Sequence, residues 1–115
     1  MPYKVLNRCI RMNCDHLKEA ISKGRYQWRR HTLERLAERD ILQEDVLEAV
    51  LQGEPIEDYP DDTPYPSALF LGWVSDRPLH VVAAFDAENH WAYIVTVYIP
   101  DQDHFEADYR TRRKK

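Results

Sequence analysis

The sequence changes character near residue 54. Before this point apolar residues recur at helical spacing, and after it they alternate or run together as they do in strands. Four prolines follow the change and interrupt both helices and inner strands: Pro55, Pro60, Pro64 and Pro66. Helices that precede a set of antiparallel strands are typical of an α+β fold. We therefore expect N-terminal helices on one face of a three- to four-stranded antiparallel sheet.

Three helices are predicted before residue 54. The first runs from His16 to about Lys23 and is capped by Asp15, the second from Gln27 to Arg39, and the third from Gln43 to Gln52. Asp40 lies where the chain must turn, and aspartate tolerates a left-handed backbone better than most residues.

Four strands and a short C-terminal helix are predicted after it. The strands are a short edge strand from Ile56 to Tyr59, then Ser67 to Val74, Leu79 to Phe85 and Trp91 to Ile99. Asp101 to Arg112 is predicted as the closing helix. Because no repeat or long linker divides the chain, residues 1–115 are expected to form a single domain.

Charge is distributed unevenly along the chain. Residues 1–39 carry ten Lys/Arg against four Asp/Glu, residues 40–108 carry one basic residue against sixteen acids, and residues 109–115 carry five basic residues. Basic ends of this kind favour contact with a polyanion such as RNA, and a solvated charged surface is the alternative.

Composition restricts the remaining classes of protein. The hydrophobic fraction of 43% supports one buried core, and no apolar run approaches the roughly 18 residues of a membrane span. The first residues lack the apolar stretch of a secretory signal, so we expect a cytoplasmic protein. The two cysteines are too few for a disulfide framework and suit a reducing compartment.

Neither a metal nor a cofactor is expected. Cys9, Cys14 and His16 lack the close cysteine pair that is usual in zinc sites. The three glycines are far apart, so the chain has no glycine-rich phosphate loop.

The second predicted helix carries the main candidate site. His31, Arg35 and Arg39 follow one another at intervals of four residues and therefore line one side of the helix. Arginines can neutralise phosphate oxygens, and histidine can move a proton near neutral pH. Alternatively, Glu34 and Glu38 simply pair with the arginines.

The strands carry a second candidate cluster. It contains His80, Thr96 and Tyr98, with His90 near a turn. Alternation places Thr96 and Tyr98 on one face with Ala92 and Ile94. Whether His80 joins them depends on the strand register, because a shift of one residue reverses the face. A structural role for these side chains is the alternative.

Three segments of the chain resemble a known family. They contain the residues His31, Arg35, Leu36, Glu38, Arg39, Ile41, Asp45 and Val46, then the Pro-rich run from Gly53 to Pro66, then Gly72, Trp73, residues 77–82, Ile94, Thr96, Tyr98 and Pro100. This pattern resembles the bacterial domain of unknown function 4258 over about residues 27–113. Residues 1–26 would then form an N-terminal helical extension.

That family is similar to RelE- and MqsR-type toxins. The resemblance implies a RelE/barnase-like fold and a metal-independent endoribonuclease that cleaves mRNA under the control of a small zinc-finger antitoxin. The resemblance implies that His31 is the base or acid, with His80 or Tyr98 as its counterpart, and that Arg35, Arg39 and Arg110 hold the phosphate. We therefore predict as catalytic residues His31, Arg35, His80 and Tyr98. The predicted substrate-binding residues are Arg39, Thr96, Arg110 and Arg112.

Two functions therefore remain open, and a purely structural domain whose histidines only pack is the third alternative. The first is the toxin-like endoribonuclease. The alternative is a non-catalytic module that binds a protein or a nucleic acid, because the acidic residues 40–108 should repel RNA outside one basic patch. The candidate partners are RNA, the zinc-finger antitoxin and a second copy of the chain as a homodimer, with no membrane.

Overall fold

The computed structural model describes residues 13–112, in which three helices are packed on one five-stranded sheet. The helices are α1 (Cys14–Ser22), α2 (Arg30–Glu38) and α3 (Gln43–Gln52). The strands are β1 (Tyr26–Trp28), β2 (Glu54–Tyr59), β3 (Ser67–Val74), β4 (Arg77–Asp86) and β5 (Trp91–Tyr98). They lie in the order β1-β5-β4-β3-β2, with β1 parallel to β5 and the other neighbours antiparallel.

The prediction of a three- to four-stranded antiparallel sheet is wrong, since the sheet is five-stranded and mixed. The additional strand, β1, contains Gln27 and Trp28, which the sequence assigned to the start of the second helix. Its three residues pair with Ala92, Tyr93 and Ile94 of β5. A three-residue strand is too short to show a period of two, and its partner lies more than sixty residues away.

All three helices lie on one face of the sheet, which we call the helix face. Apolar side chains of the helices and of this face form the main core: Leu17, Ala20, Ile21, Leu36, Val46, Ala49, Val50, Phe70, Val81, Ala83, Phe85, Ala92, Ile94 and Val97, among others. The opposite face, which we call the far face, carries a smaller cluster around Ile56, Leu69 and Leu71. The placement of helices on one face is the part of the fold prediction that the structure retains.

A β-bulge in β5 changes which residues share a face. Val82 pairs with Thr96, but the next residue, Ala83, pairs with Ile94, so Val95 is left without a partner in the register. The extra residue reverses the alternation. Thr96 and Tyr98 therefore lie on the far face, and the prediction that they share a face with Ala92 and Ile94 is wrong.

Residues 100–112 form no helix, so the predicted C-terminal helix is also wrong. This segment, which we call the C-terminal strap, consists of turns with one bridge between Phe105 and Arg112 and crosses the far face. The side chains of Asp101 and Asp108 each accept hydrogen bonds from backbone N–H groups two and three residues later. Such local bonds compete with helix formation.

The predictions for α1, α3 and the turn at Asp40 agree more closely with the structure. α3 begins and ends at the predicted residues, while α1 begins at Cys14 with Asn13 as its cap instead of Asp15. Asp40 has φ +56, which confirms the expected left-handed turn. None of the helices in residues 13–112 is both long and apolar enough to cross a membrane.

Some predictions concern the chain ends. Cys14 is disulfide-bonded, which differs from the reduced cysteines that the sequence favours. Cys9, the first twelve residues of the predicted extension and the last three residues of the basic tail lie outside the described residues.

Candidate functional site

His31 and Arg35 lie on the solvent side of α2 and Arg39 is its C-cap residue, and together they form what we call the α2 stripe. All three side chains are exposed. Within residues 13–112 the three side chains form no ion pair and no hydrogen bond, and the side chains of Glu34 and Glu38 form none with them. The alternative, in which Glu34 and Glu38 pair with the arginines, is therefore not observed in the described residues. The stripe presents its cations directly to solvent.

α2 is attached firmly to the bulge of β5. The hydroxyl of Thr32, which is buried, donates a hydrogen bond of 2.8 Å to the Val95 carbonyl, and the Arg29 N–H donates one of 3.3 Å to the Ile94 carbonyl. Leu36 packs into the core from the same side of the helix. These contacts hold the stripe on a rigid element, as a binding surface requires.

The start of α2 adds further positive charge. Arg29 and Arg30 are exposed and, like the stripe, form no ion pair with another described residue. α2 also lacks a side-chain cap, so the first N–H groups of the helix have no side-chain acceptor. Anions are favoured near a helix N-terminus of this kind.

His80 and Tyr98 lie side by side on the far face, as adjacent strands pair them. The Tyr98 hydroxyl lies 3.0 Å from His80 Nδ1, and the Tyr109 carbonyl oxygen lies 2.6 Å from Nε2. A carbonyl only accepts, so Nε2 of neutral His80 donates to the Tyr109 carbonyl, and Nδ1 accepts a hydrogen bond from the Tyr98 hydroxyl. Both ring nitrogens are thus occupied, and His80 is 0% exposed.

The environment of this pair shifts both groups toward their neutral forms. Burial lowers the pKa of His80, and the hydrogen bond to the Tyr109 carbonyl opposes the shift without cancelling it. Burial likewise raises the pKa of Tyr98. Phe105 of the C-terminal strap packs edge-on against the His80 ring with the ring centres 4.5 Å apart. The strap therefore closes over His80 and separates it from solvent.

The arginines of the C-terminal strap are paired with acids of β2. Arg112 donates to both carboxylate oxygens of Glu57 at 2.6 and 3.1 Å, and Arg110 donates to Glu54 at 3.0 Å. Burial would raise the pKa of Glu57, but hydrogen bonds from Arg112 and Tyr59 outweigh it and lower that pKa. These two cations already have anionic partners, unlike those of the α2 stripe.

The structure divides the predicted site residues between two places. His31, Arg35 and Arg39 lie on α2, which packs on the helix face near β5, whereas His80 and Tyr98 lie together on the far face. Arg110 and Arg112 pair with acids of β2, and Arg112 also lies close to Tyr98, with which it lines a pocket of about 240 Å³ on the far face. Thr96 is half-buried on the far face of β5. The residues predicted to act together are thus not all brought together.

A cleft near the start of α2 contains residues that the sequence did not single out. Its volume is about 450 Å³, and it is lined by Arg29, Asp62, Thr63, Pro64, Tyr65, Ser67, Ala84, Tyr93 and Val95. The rings of Tyr65 and Tyr93 are parallel, with an interplanar angle of 7° and centres 5.4 Å apart. The tyrosine between prolines and the tyrosine of β5 are visible in the sequence, but only the fold shows that they meet.

No group of three or more potential metal ligands occurs among residues 13–112. A family model described as "Domain of unknown function (DUF4258)" matches residues 28–99. The match includes the α2 stripe, His80, Tyr98 and the cleft, and it ends before the C-terminal strap. No curated protein and no solved structure matches the chain significantly. The similarity to RelE- and MqsR-type toxins is not confirmed by these comparisons.

Proposed function

The chain belongs to the DUF4258 domain family, and we propose that it is a toxin-like, metal-independent endoribonuclease that binds RNA through the α2 stripe. One observation supports this most strongly: His31, Arg35 and Arg39 are exposed on one rigid helix and have no ion-pair partner in the described residues. Arginines in this state are free to bind phosphate oxygens, for which their planar fork is well suited.

The chemistry requires only groups that the α2 stripe can provide. The ribose 2′-hydroxyl attacks the adjacent phosphorus while His31 accepts its proton. Arg35 and Arg39 stabilise the additional negative charge on the phosphorane. The bond from phosphorus to the 5′ oxygen then breaks, and that oxygen takes a proton from water. The products are a 2′,3′-cyclic phosphate and a 5′-hydroxyl end, and His31 releases its proton to solvent.

The acidic remainder of the surface should restrict RNA to this place. Residues 40–108 carry sixteen acids and one basic side chain, so RNA is repelled from most of the molecule. Glu34 and Glu38 reduce the positive potential of α2, yet Arg29, Arg30, Arg35 and Arg39 outnumber them. We expect binding that weakens steeply as the salt concentration rises.

Cleavage of a single-stranded RNA by the purified protein in EDTA tests the proposal. The wild type and His16→Ala, a matched control for an exposed histidine on α1, should produce fragments with 2′,3′-cyclic phosphate ends. His31→Ala should cleave at least about 100-fold more slowly, because general base catalysis contributes on this scale. Equal cleavage by His31→Ala, or no cleavage by the wild type, would contradict the catalytic proposal.

The same variants can be expressed in a bacterial host. Wild type and His16→Ala should arrest growth with fragmented mRNA, whereas His31→Ala should permit growth. Normal growth and intact mRNA with soluble wild type would contradict the toxin role.

A non-catalytic RNA-binding module is the second candidate, favoured by the closure of His80 and Tyr98 under the C-terminal strap. His80 and Tyr98 were predicted as the second proton-transfer group, and both are bonded to each other and covered by the strap. His31 would therefore act without the predicted counterpart. Salt-dependent RNA binding without cleavage would support this candidate. The zinc-finger antitoxin and the homodimer stay predictions, and co-purification with the neighbouring gene product and solution mass would test them.

A further inference from the structure

The cleft beside α2 has a shape and chemistry of its own. Ser67, Ala84 and Tyr93 are neighbours on three adjacent strands and all lie on the far face. Because the first two side chains are small, a hollow forms between Tyr93 and the loop of residues 60–66. Both Ser67 and Ala84 are buried, so the floor is well packed and pre-formed.

One wall of the cleft is a flat aromatic surface. Tyr65 stacks on Tyr93 with an interplanar angle of 7°, and both rings remain partly exposed. The backbone N–H of Phe85 in β4 donates a hydrogen bond of 3.1 Å to the Pro66 carbonyl at the end of the loop, and the nearby charge of Asp86 raises the pKa of Tyr65. The loop is thereby attached to β4, so the aromatic surface does not depend on a free loop. Exposed, oriented aromatic rings are platforms on which nucleobases stack.

The cleft has one positively and one negatively charged side chain in its lining. Arg29 lines the side next to α2, and Asp62 lines another side, where its carboxylate accepts a hydrogen bond of 2.5 Å from Ser67. A phosphate would be attracted to Arg29 and repelled by Asp62. A base amino group could instead donate to Asp62. The arrangement therefore orients a nucleotide with its phosphate toward α2.

Arg29 also connects the cleft with the α2 stripe. It immediately precedes α2, and its N–H is bonded to the Ile94 carbonyl of β5, while Val95 both lines the cleft and accepts from Thr32 of α2. Arg29 is thus shared by the cleft and the start of α2, so RNA on the stripe would reach the cleft by passing this cation, from the helix face to the far face. The volume of about 450 Å³ lies within the range of small-molecule pockets.

We propose that this cleft binds one unpaired nucleobase of the RNA held by the α2 stripe, stacked on the Tyr65–Tyr93 pair with its phosphate at Arg29. This inference rests on the proposed RNA binding but not on cleavage. It makes the cleft the place where the protein contacts a base, whereas the α2 stripe contacts the sugar-phosphate backbone. A free mononucleotide also carries a base and a phosphate, so the test must distinguish a nucleotide within RNA from a free nucleotide.

The test measures affinity for a labelled single-stranded oligonucleotide by fluorescence anisotropy. The oligonucleotide carries 2′-fluoro groups, which remove the attacking hydroxyl, and a series of versions has one abasic position each. For the wild type, one abasic position should weaken binding roughly 5- to 150-fold, the range measured for stacked bases. AMP and UMP are titrated in parallel.

Tyr93→Leu removes the platform, Tyr93→Phe keeps the ring, and Trp73→Leu removes a half-exposed aromatic residue elsewhere as a matched control. The loss of affinity caused by the abasic position, which we call the abasic penalty, should persist in Tyr93→Phe and Trp73→Leu. It should fall below twofold in Tyr93→Leu. Equal penalties in the wild type and Tyr93→Leu would overturn the inference, and so would the absence of any penalty.

The remaining outcomes separate this inference from the proposed function. Salt-dependent binding with no effect of any abasic position would overturn the cleft assignment and leave RNA binding by α2 intact. No binding at low salt would overturn both. Mononucleotide binding that Tyr93→Leu abolishes, combined with no abasic penalty, would assign the cleft to a free nucleotide and overturn its assignment to RNA.

Discussion

The α2 stripe and the C-terminal strap both present arginines, and the two regions use them differently. Arg35 and Arg39 are exposed and unpaired within the described structure, whereas Arg110 and Arg112 form ion pairs with Glu54 and Glu57. In the first region the charges are available to a ligand. In the second they attach the strap to β2 and help to enclose His80.

The histidines differ in the same way. His31 is exposed on a helix, while His80 is fully buried with both ring nitrogens bonded. A basic residue or a histidine in a sequence therefore indicates a candidate, but its neighbours decide between ligand binding and structural support. We expect mutations in the α2 stripe to change RNA binding and mutations around the strap to change stability.

The largest effect is expected from His80→Ala. The substitution removes two buried hydrogen bonds and leaves a cavity, so the free energy of unfolding should fall by about 2–4 kcal/mol. Urea denaturation measures this change, and His31→Ala should shift it by no more than about 0.5 kcal/mol. If both variants are as stable as the wild type, the assignment of His80 to structural support is wrong.

Removing the cations of the α2 stripe should produce the next largest effect. The double variant Arg35→Ala, Arg39→Ala should bind RNA at least about tenfold more weakly, with its stability nearly unchanged. The slope of log affinity against log salt concentration should become shallower by about one for each arginine removed. Arg77→Ala, which removes the same charge from the start of β4, should bind like the wild type. Equal losses in both proteins would mean that only net charge matters.

The buried His80 should also make stability depend on pH. Its pKa in the folded protein is below the ordinary value of about 6.5, so the unfolded chain binds this proton first as the pH falls. The free energy of unfolding should therefore be fully retained above pH 6.5 and decline below it, by at most about 1.4 kcal/mol per pH unit.

Denaturation curves between pH 7.5 and 5 measure this decline. His80→Gln, which can still form hydrogen bonds but does not titrate, should show a smaller slope, and His16→Ala should behave as the wild type. An unchanged slope in His80→Gln would assign the pH dependence to other groups.

The smallest effect is expected from Arg112→Ala. Loss of the ion pair with Glu57, which is partly exposed, should reduce stability by about 0.5–1 kcal/mol. RNA affinity should not change, although one positive charge is lost. If Arg112→Ala weakens RNA binding as much as the double variant of Arg35 and Arg39 does, Arg112 binds RNA, as the sequence predicted.

Much of the helical half was predictable because helical signals are local. The spacing of Val46, Leu47 and Val50 defined α3 to the residue, and the spacing of His31, Arg35 and Arg39 placed them on one side of α2. The predicted edge strand, Ser67–Val74 and the later strands also agree with β2 to β5 within about two residues.

The site was less predictable because it depends on long-range pairing. The bulge at Val95 decides the face of Thr96 and Tyr98, and nothing in a run of alternating residues marks where an extra residue is accommodated. The stacking of Tyr65 on Tyr93 joins residues 28 positions apart. These contacts could not be read from spacing.

The sequence by itself determined the order of the three helices and of β2 to β5 and the alignment of the α2 stripe, since each follows from residues close together in the chain. It also determined the family, from short motifs in a fixed order. Only the tertiary structure decided that β1 joins the sheet, that His80 is enclosed by the C-terminal strap and that the α2 stripe remains open. The reason is physical: periodicity is set by the backbone geometry of one element, whereas exposure and ion pairing are set by which distant segments pack against it.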